Sequence, residues 1–166
     1  MRDIAKAFGV LPGSLYAHID SKETLLVEIV DTGIEHFLEA VEPIAAAKGA
    51  AAMRMREAIR AHIIVVTENP ERSLVVFHQW RFLGDPYRDA AIAKRRRYEQ
   101  AFVRILQDGI AEGSFDPGLN VRIAVLTVLG ALNWTPEWYS PGGQASPPEI
   151  GDMMANMLLK SLALTR

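Results

Sequence analysis

The residues of this chain that could do chemistry point to binding rather than to bond making. There is no cysteine, no Gly-x-Ser-x-Gly elbow and no glycine-rich phosphate loop. The four histidines, His18, His36, His62 and His78, include no His-x-x-x-His pair, so a helical zinc site is not suggested. Asp and Glu are scattered over polar faces. No catalytic residue, no metal and no cofactor is therefore expected, and the enzyme reading is poor. Two other groups have a recognisable use. Small, polar and basic side chains between Arg2 and Lys22 suit contact with base edges and phosphates. Aromatics and cations between Phe77 and Tyr139 suit an organic ligand.

The first group sits on a specific arrangement of elements. Ile4, Ala5 and Phe8 recur at helical spacing, with Arg2, Asp3 and Lys6 on the other side. Gly9 follows where a helix end favours positive φ, and Pro12 fits the first position of a new helix. Gly13-Ser14-Leu15-Tyr16-Ala17-His18 continues it. Asp20 and Ser21 can each cap the next helix, and Asp20 with Glu23 has the capping-box spacing. Helix, short glycine turn and second helix make a helix-turn-helix pattern, whose second helix presents its outer residues to the major groove. Pro12, Gly13, Ser14 and Ala17 would allow close approach, and Tyr16, His18 and Lys22 could reach phosphates. Two short helices in a generic bundle fit the same periodicity.

The remaining elements must carry and position these groups. Leu25 to about Val41 reads as one long helix, with Pro43 and the Ala-rich 45–52 as a junction. Helices are expected over 51–68, 71–83, 87–112 and 119–134. Asn69-Pro70, Gly84-Asp-Pro86 and Gly113–Gly118 separate them, and a loop at 141–148 precedes a last helix with Ile150, Met153, Met154, Met157, Leu158 and Leu162 as its stripe. No stretch alternates with period two, so the chain is expected to be all-α, with about eight helices. We expect a DNA-binding unit with its linking helix over 1–42 and a ligand-binding and dimerisation unit over 43–166.

The helix over 119–134 is apolar nearly all round, and the last helix has one greasy face. Both could line the monomer core, but a homodimer through helices near 119–135 and 148–164 accounts for them better. Any one of the aromatics Phe77, Trp80, Phe82, Tyr87, Tyr98, Phe102, Trp134, Trp138 and Tyr139 is more often core than ligand contact, yet such clusters also build small-molecule cavities. The run Lys94-Arg95-Arg96-Arg97 is either a solvated helix face or a phosphate attractor, assisted by Arg81 and Arg88.

Composition constrains these readings. The chain has 166 residues and 49% hydrophobic content, enough for a substantial core. No run reaches the length of a membrane span, no secretory signal is read at the N-terminus, and the absence of cysteine fits a cytoplasmic protein. Net charge is −2, and residues 1–42 hold three Lys/Arg against eight Asp/Glu, which is thin for a protein that must contact several phosphates.

Met1-Arg-Asp-Ile-Ala-Lys-Ala-Phe-Gly-Val10, Gly13-Ser-Leu-Tyr-Ala-His-Ile19 and Ser21-Lys-Glu-Thr-Leu-Leu26 together resemble the DNA-binding domain of TetR-family transcriptional repressors. The resemblance implies a homodimer on double-stranded operator DNA, released by a small ligand held in the second domain. It implies DNA contacts from Arg2, Ser14, Tyr16, His18 and Lys22, with Pro12, Gly13 and Ala17 allowing approach. It also turns the aromatic cluster toward a ligand site built from Phe77, Trp80, Arg81, Tyr98, Phe102, Trp134 and Trp138. Gly130-Ala-Leu-Asn-Trp134, Trp138-Tyr-Ser-Pro-Gly142 and Ser146-Pro-Pro-Glu-Ile150 are similar to the subgroup that controls lipid or steroid breakdown and senses acyl-CoA-like thioesters. The family has a further basic helix ahead of the position of Met1, so either the native chain starts upstream or that helix has been removed, and these 166 residues alone are expected to bind DNA weakly or not at all. A helical interaction module that has lost DNA binding is the alternative.

Overall fold

A computed structural model of the chain describes Gly9 and residues 21–163. Among the described residues there are seven α-helices and no strand: α1 Lys22–Ala46, α2 Ala51–Glu68, α3 Pro70–His78, α4 Tyr87–Ala111, α5 Val121–Asn133, α6 Thr135–Trp138 and α7 Pro147–Leu162. A 3-10 turn, Gln79–Phe82, extends α3. The fold is all-α, as the missing two-residue alternation requires.

Helix α1 begins on Ser21, whose hydroxyl accepts from the Thr24 N–H at 3.0 Å. Its buried face, Val30, Gly33, Ile34, Phe37, Leu38, Val41 and Ala45, follows the helical period. The expected break at Pro43 does not occur: the helix runs through it to Ala46. An interior proline costs about 3 kcal/mol, but Ile44 and Ala45 pack into the main core on its far side. The true junction is 47–50. There Arg54 reaches back to the carbonyls of Ala45 and Gly49, at 3.1 and 3.2 Å, and satisfies the helix end.

Helix α2 is the centre of the bundle. Met55, Ala58, Ile59, His62, Ile63 and Val66 are all sealed from solvent, between α1, α4 and α7. It stops at Asn69-Pro70 as expected, and Asn69 then caps α3, accepting from the Arg72 N–H at 2.9 Å. The single helix expected over 71–83 instead tightens into the 3-10 turn after His78, a common ending for an α-helix. Helix α5 ends at Asn133, and Thr135-Pro136 opens the short α6. The last helix starts at Pro147, three residues before its expected stripe. Ser146 and Glu149 form the capping box that Ser-Pro-Pro-Glu encodes: the Glu149 carboxylate accepts from the Ser146 backbone N–H at 2.7 Å and from its hydroxyl at 2.6 Å.

The packing divides into two buried clusters. The larger joins the end of α1 to α2, α4, α5 and α7. The smaller joins the first half of α1 to α3, Leu83 and Ala91. Helices α1 and α3 cross closely at Gly33, where an added Cβ would collide with Val76 Cγ2. Replacing Gly33 by Ala should cost about 2 kcal/mol in a urea unfolding experiment, the usual scale of overpacking. Val76→Ala opens a small void by itself but should relieve that collision, so the double variant should be more stable than the sum of the single losses by about 1 kcal/mol.

Candidate ligand cavity and the helix it shares

A cavity of about 340 Å³ lies between α1, α3, α4 and α5. Ile34 and Phe37 come from α1, Val76, Phe77 and Trp80 from α3 and its 3-10 extension, Ile92, Arg95, Arg96, Tyr98 and Glu99 from α4, and Leu126, Leu129, Gly130 and Asn133 from α5. The volume is at the lower end of the range for small organic ligands, and the mix of apolar walls with a few polar groups is typical of them.

Aromatic rings build its inner wall. Phe37 packs against His62, Phe77 and Tyr98, with ring centroids 4.9, 5.3 and 5.9 Å away. Behind Tyr98 stands Phe102, edge-on at 5.4 Å. His62 Nδ1 and the Tyr98 hydroxyl lie 2.7 Å apart, a hydrogen bond that fixes both rings. His62 Nε2 has no hydrogen-bond partner and is sealed from water. Burial pushes the imidazole down from its usual 6.5 to about 3, with the nearby Leu132 backbone opposing weakly, so the ring is neutral at physiological pH. Burial alone holds the Tyr98 hydroxyl well above its usual range.

The basic run on α4 is divided between two jobs. Lys94 meets Asp31 at 2.5 Å and Glu35 at 2.7 Å. Burial opposes its charge, but the two carboxylates outweigh that and raise the ammonium above its usual range. Arg97 forks onto Glu42 at 2.5 and 2.6 Å. These two therefore tie α4 to α1. Arg95 and Arg96, between them, border the cavity instead. Arg95 is half-buried, its guanidinium 5.1 Å from the centroid of Trp80, and Arg81 stands 5.4 Å from the same ring. Desolvation, then repulsion from Arg81, lowers Arg95 from its usual range.

Of the ligand contacts expected from the sequence, the structure brings Phe77, Trp80 and Tyr98 together on this wall. Phe102 supports it from behind. Arg81 touches Trp80 from outside and borders a second cleft of about 950 Å³, against the first turns of α1. Trp134, 60% exposed, and Trp138 lie away from the cavity, and Trp138 borders a separate groove with Met153 and Met157. The sequence reading missed Phe37 and Arg95 as inward groups, whereas His62 is the buried, hydrogen-bonded core histidine that its helix face suggests. Phe37 was visible only as a buried position on a helix face. Lys22 is exposed in the first turn of α1, where a cation opposes the helix dipole and gains nothing locally. The other expected DNA contacts, Arg2, Pro12, Gly13, Ser14, Tyr16, Ala17 and His18, lie outside the described residues. Among the described residues no three His, Asp or Glu side chains are placed to hold a metal ion, and no helix is long and apolar enough to cross a membrane.

Residues 48–162 match the family model of the tetracyclin repressor-like C-terminal domain. The transcriptional repressor KstR2 of Mycolicibacterium smegmatis is 26% identical over 96% of this chain and 78% of its own length. The TetR-family regulator PfmR of Thermus thermophilus superposes with a TM-score of 0.86 at 28% identity, over 99% of this chain and 88% of that one. The structure of AibR with isovaleryl coenzyme A and operator DNA shares the fold, with a TM-score of 0.80 at 24% identity, over 95% of this chain and 85% of that one.

The buried histidine gives the fold an acid sensitivity. Its folded pKa lies below its unfolded one, so the unfolded chain takes up the proton first. The stability is fully present above about pH 6.5 and is lost as pH falls toward 3. Between pH 7 and 5 this group should remove about 2 kcal/mol from the unfolding free energy. His62→Leu should flatten that slope, and an unchanged slope would mean that His62 is not held neutral.

Proposed function

The chain belongs to the TetR family of transcriptional regulators, and on that premise we propose that it is a ligand-responsive repressor that holds operator DNA as a homodimer and releases it when a hydrophobic small molecule, an acyl-CoA, fills the cavity. One observation carries this reading: α1 supplies Ile34 and Phe37 to the cavity wall and runs back, unbroken, to Lys22 beside the helix-turn-helix sequence. A ligand that repositions α1 therefore repositions whatever precedes it. KstR2 is named as a repressor, and AibR was solved with both a coenzyme A thioester and operator DNA. Both support the reading.

In this account residues 1–42 read DNA. Arg2, Ser14, Tyr16, His18 and Lys22 make the contacts, and Pro12, Gly13 and Ala17 permit the approach. Residues 43–166 bind ligand and dimerise, with α1 crossing between the two units. The dimer uses the outer faces of α5 and α7. Ile123 on α5 and Met157 on α7 are 59% and 73% exposed, and Trp134 at the end of α5 is also exposed, large apolar side chains that a partner subunit would cover. Two copies then match two half-sites one helical turn apart. The protein works in the cytoplasm, without a membrane and without catalysis.

Fluorescence anisotropy tests the whole reading. Protein extended upstream of Met1 is expected to bind DNA from its own promoter tightly, with an affinity that falls steeply with salt, and a long-chain acyl-CoA should release it. Binding without release discards the ligand class, and no binding there or to neighbouring promoters at low salt discards the repressor. The dimer is tested separately by sedimentation: Ile123→Glu with Met157→Glu should convert it to a folded monomer.

A further inference from the structure

We propose that Trp80 and Arg95 form an acceptor-reading pair, which makes the cavity specific for ligands with an acyl oxygen, a carboxylate or a thioester carbonyl, over neutral hydrocarbons and alcohols. This deepens the ligand-binding reading above and rests on it.

Both residues have donors to spare on the same wall. The Trp80 indole N–H is sealed from water and has no hydrogen-bond partner. Leaving such a group unpaired is costly, and a folded chain seldom does so without a use for it. Arg95 carries five N–H donors, of which the structure engages one, on the Val76 carbonyl at a long 3.4 Å. Its side chain is stacked against Trp80 and half-buried among apolar groups, with no carboxylate within ion-pair distance among the described residues.

The surrounding charge is also arranged for an acceptor. Arg81 stands over the same indole and Arg96 borders the same cavity, against the single carboxylate of Glu99. Lys94 and Arg97, the flanking cations of the run, are consumed by Asp31, Glu35 and Glu42. Only the two middle arginines are left facing the cavity. A ligand oxygen at this wall would take up an unused guanidinium fork, and a small turn of the Trp80 ring would bring its unpaired indole N–H, which water does not reach, onto the same acceptor. The wall belongs to the acyl end of a ligand. At about 340 Å³ the cavity is far smaller than a coenzyme A moiety, so in a thioester the nucleotide would lie outside it.

Calorimetric titration of the full chain with octanoic acid, octanoyl-CoA, 1-octanol and free CoA reads this directly. Octanoic acid and octanoyl-CoA are expected to bind at least tenfold more tightly than octanol. Arg95→Met should weaken the acid and the thioester about tenfold and leave octanol and free CoA within twofold. Trp80→Phe, which keeps a ring and removes the N–H, should weaken the first two about fivefold. Arg95→Lys should fall between wild type and Arg95→Met, and unchanged thermal melting excludes misfolding as the cause. Equal affinity for octanol and octanoic acid overturns the pair while leaving the hydrophobic cavity in place. Equal weakening of free CoA by Arg95→Met also overturns it, since the arginine would then read phosphate. No binding by any of the four overturns both the pair and the ligand reading on which it rests.

Discussion

The structure depends on one helix having to satisfy two sets of neighbours. Over its first turns α1 borders a broad cleft with Gln79, Phe82 and Gly84, and the Glu23 carboxylate accepts the Gly84 N–H at 3.3 Å. From Val30 onward it is buried in the bundle. Two devices fix its position there. Gly33 lets α3 approach so closely that any side chain would collide with Val76. On the opposite flank Lys94 and Arg97 pin it to α4 through Asp31, Glu35 and Glu42. The ion pairs lie near the surface, where solvent screens them, so they hold α1 in place without locking it. That balance suits the ligand-driven shift of α1 that we propose.

The cavity exists because the packing around α1 and α5 is incomplete. Gly130 has open space where a side chain would sit, and Leu126 and Asn133 are only partly covered. The walls, by contrast, are held rigidly. Tyr98 is anchored by His62 and backed by Phe102, and Phe37 closes the aromatic group. Among the described residues, the buried side-chain polar atoms left short of partners, His62 Nε2 and Trp80 Nε1, are both in this region. A bundle built only for stability would gain from replacing them with apolar groups of similar shape, and their presence marks the region as built for something other than packing.

Much of the fold could be read from the sequence, because its stop signals are local and strong. Asn69-Pro70 and Gly113–Gly118 end helices where they should, and Gly84-Asp-Pro86 follows the 3-10 extension of α3. Pro43 misled, since the packing of Ile44 and Ala45 beyond it is a tertiary effect that a local rule does not contain. Ser146-Pro-Pro-Glu149 was the reverse case: the capping box was written in the chain, but the apolar stripe further on set the expected boundary. The candidate site was half legible. Aromatic clustering found Phe77, Trp80 and Tyr98, yet the same argument added Trp134 and Trp138, because sequence proximity does not tell an inner wall from an outer face. Arg95 was hidden within a run of four cations. Position along α4 alone decides which of them meet carboxylates on α1 and which meet the cavity, and that depends on the rotation of one helix against another.

The most direct test of the account is whether filling the cavity moves α1. The chain has no cysteine, so a single Glu28→Cys substitution on the exposed side of α1 allows a spin label to be placed at one site per protomer. The distance between the two labels of the proposed dimer can then be measured by pulsed electron resonance, with and without octanoyl-CoA. The account predicts one well-defined distance in each state and a shift between them on adding the thioester, reduced in Arg95→Met at the same ligand concentration. Identical distance distributions with saturating ligand would contradict it, because the cavity would then bind without reaching the helix on which the whole mechanism turns.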